Sequence, residues 1–301
     1  MSSTKVKQRA SSPPSRTVSF LQVQQFNTSA INTPSTVPAY ISYPESKDTS
    51  NAIIILPDVM GHALINPQLI ADQFAANGYW VVMPDLFQGD AIELNALGSG
   101  NFDIMNWLQK GGPEGKGHLP DTVDPIIEKT LAYMKEQGAK KIGAVGYCFG
   151  GKYVARFMAK GKGVDVGFTA HPSFVDEAEL RGVTGPLSIA AAGKFEYCVF
   201  YCRVLRKEKT RLERKNIPTN GTTSPETDSI FPEEKRHQTE QILKDMGSIP
   251  YQMTLYSGVE HGFAVRGDLN KPEIKFAKEA AFLQAVQWFD EFLKKDRKSA
   301  S

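Results

Sequence analysis

The stretch Lys141-Ile-Gly-Ala-Val-Gly-Tyr-Cys-Phe-Gly-Gly-Lys152 decides the fold. Ile142 to Val145 is a short apolar run that reads as a buried strand. It breaks at Gly146-Tyr147-Cys148-Phe149-Gly150, after which Tyr153, Phe157 and Met158 fall at helical spacing. A strand, a sharp turn and a helix therefore follow one another, with Cys148 at the apex. Flanking glycines suit this turn because a Cβ at Gly146 or Gly150 would collide with it. A thiol lifted clear of a sheet in this way is a candidate nucleophile. A lone cysteine between glycines is also what a small buried hydrophobe looks like. The nucleophilic reading gains weight from a distal Asp and a distal His that follow in the order such turns require.

Working outward, Ala39–Tyr43, Ala52–Leu56, Gly78–Met83, Val164–Ala170, Pro186–Ala192 and Tyr251–Tyr256 read as strands. Helices fall around Leu69–Ala76, over Asp124–Glu136, from Pro232 through Leu243, and over Phe276–Leu293 with Ala280, Leu283, Val286 and Phe289 facing the core. This alternation predicts an α/β fold, a mostly parallel doubly wound sheet with helices on both faces. Functional groups in such sheets collect at the carboxyl ends of strands, where Asp58, Cys148 and His171 fall. Residues 88–124 hold short amphipathic pieces, notably Phe102 to Leu108, and read as a cap or rim over the site.

The chain has 301 residues, 41% of them hydrophobic, enough for one large domain. Residues 1–36, rich in Ser, Thr, Pro and Gln, read as mostly disordered, and 37–301 as the domain. Gly193 to Pro225 interrupts it with scattered charge and aromatics that continue no strand or helix rhythm. Ala192-Gly193-Lys194 after an intact strand is compatible with translation through a splice donor, which makes a retained intron one origin of this insert.

The net charge of +2 is unevenly spread. Lys5, Lys7, Arg9 and Arg16 stand among residues 1–44 with no acid, and the insert is strongly basic, so the remainder is net acidic. An acidic body argues against nucleic acid as partner. No apolar run is long enough for a membrane span. Three cysteines without a paired framework, and no signal peptide, predict a reducing, cytoplasmic setting. The acid-free N-terminal segment is the feature that would suit a mitochondrial transit peptide. Cys198 and Cys202 lack a second ligand pair nearby, so no metal is expected.

The motifs Gly146-Tyr-Cys-Phe-Gly-Gly151, Pro84-Asp-Leu86, Glu226-Thr-Asp228 and Glu260-His-Gly-Phe263 together resemble the dienelactone hydrolase family of the α/β-hydrolase fold, over residues 39–192 and 226–294. The resemblance implies a Cys–His–Asp triad with neither metal nor organic cofactor. On it, Cys148 is the nucleophile, His261 the base and Asp228 the carboxylate that orients the imidazole. The backbone N–H groups of Phe149 and Val59 would form the oxyanion hole. Asp58 would take the place of the acid that holds the resting thiol, one methylene shorter than the Glu of bacterial members. Phe87 and Arg266 are the substrate-binding candidates. Bacterial members hold a substrate carboxylate with arginines, one of them ahead of the elbow, whereas here no Arg occurs between Arg16 and Arg156.

His171 ends a strand and competes for the role of base, but a base ahead of the acid breaks the Cys, Asp, His order. His62, His118 and His237 read as structural or solvent-facing, and Asp85 as a structural hydrogen-bonding group. The sequence thus predicts a hydrolase that opens a small ester or lactone through an acyl-cysteine. Amides are disfavoured, because thiolate leaves the tetrahedral intermediate more readily than amine. The rival reading is a catalytically silent member of the fold that binds a small molecule or a partner, the insert having displaced Asp228.

Overall fold

A computed structural model describes residues 23–27, 36–97, 102–193, 228 and 230–295, with side chains from residue 37 onward. The apolar run at its centre, Asn51–Leu56 (β3), lies in a parallel sheet between Trp80–Pro84 (β4) and Lys141–Tyr147 (β5). Ile53 through Leu56 are all fully buried, as a strand covered on both faces requires. Val166–Ala170 (β6), Leu187–Gly193 (β7) and Tyr251–Ser257 (β8) extend the parallel sheet on one side. On the other, Thr36–Ser42 (β2) pairs antiparallel with β4, and Val23–Asn27 (β1) pairs antiparallel with β2. The order across the sheet is β1-β2-β4-β3-β5-β6-β7-β8.

Alternation along the strands sends side chains into two cores. Ile54, Leu56 and Val82 pack with Ile127 and Leu131 of Pro120–Glu136 (α3), Val154 and Phe157 of Phe149–Phe157 (α4), and Ile242 and Leu243 of Glu233–Met246 (α6). Ile53, Ile55 and Val81 face the opposite way, against Ile70 and Phe74 of Ile65–Ala76 (α1) and Ala281, Ala285 and Phe289 of Pro272–Phe289 (α8). The remaining helices are short: Ile104–Lys110 (α2), Glu177–Arg181 (α5) and Phe263–Arg266 (α7). Among the described residues no helix is long and apolar enough to cross a membrane.

The α/β reading stands, with local corrections. Val23–Asn27, within the stretch read as mostly disordered, is a strand, because an antiparallel neighbour supplies ladder hydrogen bonds whatever the composition. Gly193, read as the first residue of the insert, closes β7 and pairs with Ser257. The rest of that insert lies outside the described residues, as do Cys198 and Cys202. Helix α3 begins at Pro120 rather than Asp124, since proline at the first helical position loses no hydrogen bond. Helix α5 was not anticipated; a reciprocal capping box between Asp176 and Glu179 starts it. On α8 the buried row is Ala277, Ala281, Ala285 and Phe289, while Leu283 is 56% exposed and Ala280 only half-buried. Small residues on that row let the helix sit close to the sheet.

Two glycines permit the elbow. A Cβ on Gly146 would stand 2.6 Å from the Gly150 carbonyl oxygen, and one on Gly150 only 1.9 Å from the Leu56 carbonyl oxygen. Helix α4 therefore starts in contact with the end of β3, whose Leu56 is in register with Gly146. Gly150→Ala is expected to destabilise the fold by about 1–3 kcal/mol or more, because backbone rather than a movable side chain blocks the methyl. Urea unfolding checks this, and a midpoint equal to that of the unmutated chain would contradict it.

Candidate active site

Cys148 joins β5 to α4 with φ 51° and ψ −111°, a conformation that costs a residue with a Cβ of order 1–3 kcal/mol and persists where its surroundings enforce it. Those surroundings are polar backbone contacts. The Cys148 amide donates to Ala170 O at 3.2 Å, and its carbonyl accepts from Gly151 N at 3.0 Å and from Ser173 N at 2.9 Å. Helix α4 is fastened in turn: Arg156 reaches Asp124 of α3 at 2.5 Å and Glu179 of α5 at 3.0 Å. Cys148 as a whole is 6% exposed.

His261 sits in the turn after β8. Its Nδ1 lies 3.0 and 3.2 Å from the two carboxylate oxygens of Asp228, so Nδ1 is the donor and Nε2 is left facing the elbow. Asp228 is buried, which alone would raise its pKa. The His261 contact and the amides of Ile230 (3.0 Å) and Phe231 (3.1 Å) hold it below the ordinary carboxylate range. Burial likewise opposes charge on His261, but hydrogen bonds with Asp228 and Cys148 outweigh it and its pKa is pushed up to about 9. The imidazole therefore feels the thiol and the carboxylate together.

Ser173 Oγ stands between sulfur and imidazole, 3.2 Å from Cys148 Sγ and 3.4 Å from His261 Nε2. Sequence reasoning did not single it out. The available signal was its position just past the strand end at His171-Pro172, level with the carboxyl ends of the neighbouring strands.

Asp58 is placed differently from the expectation that it holds the thiol. Its Oδ2 forms an ion pair with Arg266 Nε at 3.0 Å, and its Oδ1 accepts from the Met60 amide at 3.0 Å. The Oδ2 contact is an ion pair without hydrogen-bond alignment, and the hydrogen-bonding side chain at the Cys148 sulfur is Ser173 rather than Asp58. Burial pushes the Asp58 carboxyl up, against the pull of Arg266, the Met60 amide and His261. Arg266, at the end of α7, is committed to Asp58 rather than projecting free.

Phe87 presents no surface to solvent. Its ring packs on Phe149 and Trp107 (centroids 5.1 Å) and edge-on to His118 (5.3 Å), so it buttresses the first residue of α4 and offers no exposed surface to a substrate. The amides of Val59 and Phe149 donate to no acceptor among the described residues, and the contact of Gly150 with Leu56 draws their two loops together.

His171 is fully buried, edge-on to His261 with centroids 4.9 Å apart, and its two nitrogens have no partner among the described residues. Burial, together with the positive charge of His261 and Arg266, keeps it neutral. It supports the His261 ring rather than competing with it. His62 lies 3.6 Å from Asp85, His118 bonds Asp90 at 2.8 Å, and His237 is exposed beside Glu233. Asp85 caps its own turn by accepting from Phe87 N and Gly89 N.

The profile of the dienelactone hydrolase family matches residues 37–293. The chain belongs to that family. Hydrolase tropI of Talaromyces stipitatus is 50% identical over 260 residues, spanning 86% of this chain and 88% of that protein. The human carboxymethylenebutenolidase homolog is 25% identical over 264 residues, or 85% and 88% of the two chains. The crystal structure of a dienelactone hydrolase from Anabaena variabilis superposes with a TM-score of 0.54 at 11% identity, over 90% of this chain and 99% of that one, a likeness of fold. As a dienelactone hydrolase family member, the protein is a carboxylic ester hydrolase.

Because folding raises the His261 pKa, binding of its proton contributes stability that is fully present below pH 6.5 and lost as pH rises through about 9, while the lowered pKa of Asp228 contributes stability lost only in acid, below the ordinary carboxylate range. Asp228→Asn removes the charge that holds the proton and is expected to lower the His261 midpoint by about 1–3 units. Titration of the imidazole by NMR measures this. A midpoint unmoved from that of the unmutated protein would show that Asp228 does not govern the ring.

Proposed function

We propose that the protein opens a small ester or lactone through an acyl-cysteine intermediate. The observation that carries this reading is the 3.0 Å contact of His261 Nδ1 with Asp228, which leaves Nε2 as the proton acceptor on the side of Cys148. His261 takes the thiol proton and the sulfur attacks the carbonyl carbon. The developing oxyanion is held by the free amides of Val59 and Phe149, each such donor worth about 2.7–4 kcal/mol of barrier. The alkoxide leaves with the proton from His261, or stays tethered to the acyl group when the substrate is a lactone. Water, deprotonated by the same imidazole, then hydrolyses the thioester and frees the thiol.

A silent, ligand-binding protein was the rival reading, and it depended on the insert displacing Asp228. The bidentate approach of Asp228 to His261 argues against it. The names of the relatives, a hydrolase and a carboxymethylenebutenolidase homolog, point the same way. Committing Arg266 to Asp58 takes up the arginine nearest in sequence to His261, which favours uncharged esters and lactones.

Replacing Cys148 with Ala is expected to lower kcat/KM on a small activated ester by at least roughly 10³-fold, in line with removal of a nucleophile from a cooperating triad. Steady-state hydrolysis of the two proteins decides it. Equal rates would end the proposal.

A further inference from the structure

We infer that Ser173 is a positioning residue for Cys148: its hydroxyl bridges sulfur and imidazole, aims the thiol in the resting state, and donates to the thiolate after the proton has gone to His261. The inference rests on the acyl-cysteine reading and adds to it a residue that the triad does not include.

The geometry is built rather than incidental. Ser173 is 1% exposed, with Oγ 3.2 Å from Cys148 Sγ and 3.4 Å from His261 Nε2. Its amide donates to the Cys148 carbonyl at 2.9 Å, so the serine is registered to the nucleophile through the backbone as well as through the side chain. Pro172 precedes it, and the residues on either side of that pair, His171 (φ 41°) and Phe174 (φ 59°), both hold positive φ without being glycine. Two such residues within four positions mark a loop whose shape is enforced.

A hydroxyl donates and accepts at once, which suits a site that must serve two charge states. With Nδ1–H of His261 given to Asp228, Nε2 carries a lone pair whenever the imidazole is neutral. The S–H then donates to Oγ, and the Ser173 O–H donates to Nε2. When the S–H bond breaks and an N–H bond forms on Nε2, the imidazolium donates to Oγ and the Ser173 O–H turns to the sulfur. Serine gains and loses no proton overall. The charged and titratable groups around the thiol are His261 with Asp228 behind it, the neutral His171 at the end of β6, and the Asp58–Arg266 pair from the β3 loop and α7. Asp58 pairs with Arg266 and accepts from the Met60 amide, and the hydrogen bond at sulfur comes from Ser173 instead.

The test follows iodoacetamide alkylation of Cys148, read on its own peptide by mass spectrometry, against pH in the unmutated protein, Ser173→Ala and Ser173→Gly. Two variants that both delete the hydroxyl keep the test independent of the folding of either. Loss of the donor is expected to raise the alkylation midpoint by about one unit, leaving roughly tenfold less thiolate below it, and to lower kcat/KM by a similar factor of about ten. An unmoved midpoint with unmoved kcat/KM overturns the inference. If Cys148→Ala has meanwhile abolished hydrolysis, that result leaves the acyl-cysteine reading intact. If Cys148→Ala instead keeps full activity, the underlying reading falls, and this inference with it.

Discussion

The molecule depends on one steric constraint, the contact of the first turn of α4 with the end of β3. Only hydrogen at Gly150 allows the helix to begin against the Leu56 carbonyl. That approach is what forces Cys148 into positive φ, and positive φ is what turns the thiol out of the sheet toward the loops. Phe87, Trp107 and Phe149 pack together against the start of α4. The strain at Cys148 is balanced by the fully buried strands on either side, so the reactive geometry is held by the most stable part of the fold.

Around that point the electrostatics are arranged in two couples. Asp228 and His261 form one, in which burial would discharge both partners but their mutual contact keeps the carboxylate low and the imidazole high. Asp58 and Arg266 form the other, in which a buried acid is held by a cation from the helix just past the histidine. The thiol shares its hydrogen bond with an uncharged group, Ser173. In the proposed mechanism a neutral partner neither repels the thiolate, as a nearby carboxylate would, nor traps it as a lysine would, and so leaves its nucleophilicity to the imidazole.

Much of this was legible in the sequence where the physics is local. Glycine sterics around Cys148, apolar runs at β3 to β7 and the Cys, Asp, His order are all encoded within a few residues of where they act, so the elbow, the sheet and the pairing of Asp228 with His261 could be anticipated. What escaped the reading depends on partners distant in the chain. Arg266 takes up Asp58 through a long side chain whose reach no spacing reveals. Ser173 is one hydroxyl among many until β6 sets its end beside β5. Phe87 looks like a pocket aromatic until Trp107 and His118 cover it. Helix α8 has two faces of similar apolarity, and the choice of the alanine row follows from how close the sheet needs the helix to come. Strand β1 has a composition that suits disorder, and it is strand because β2 has an open edge.

The central claim is that the sulfur of Cys148 carries the acyl group during turnover. Mixing the protein with an activated acetate ester, quenching in acid within the first turnover and mapping the peptides by mass spectrometry tests it most directly. The account predicts one acetyl group on the Cys148 peptide, removable by neutral hydroxylamine as a thioester is, and absent after longer incubation. Turnover with no acyl group on that peptide at any quench time, or with the label on another side chain, would contradict it.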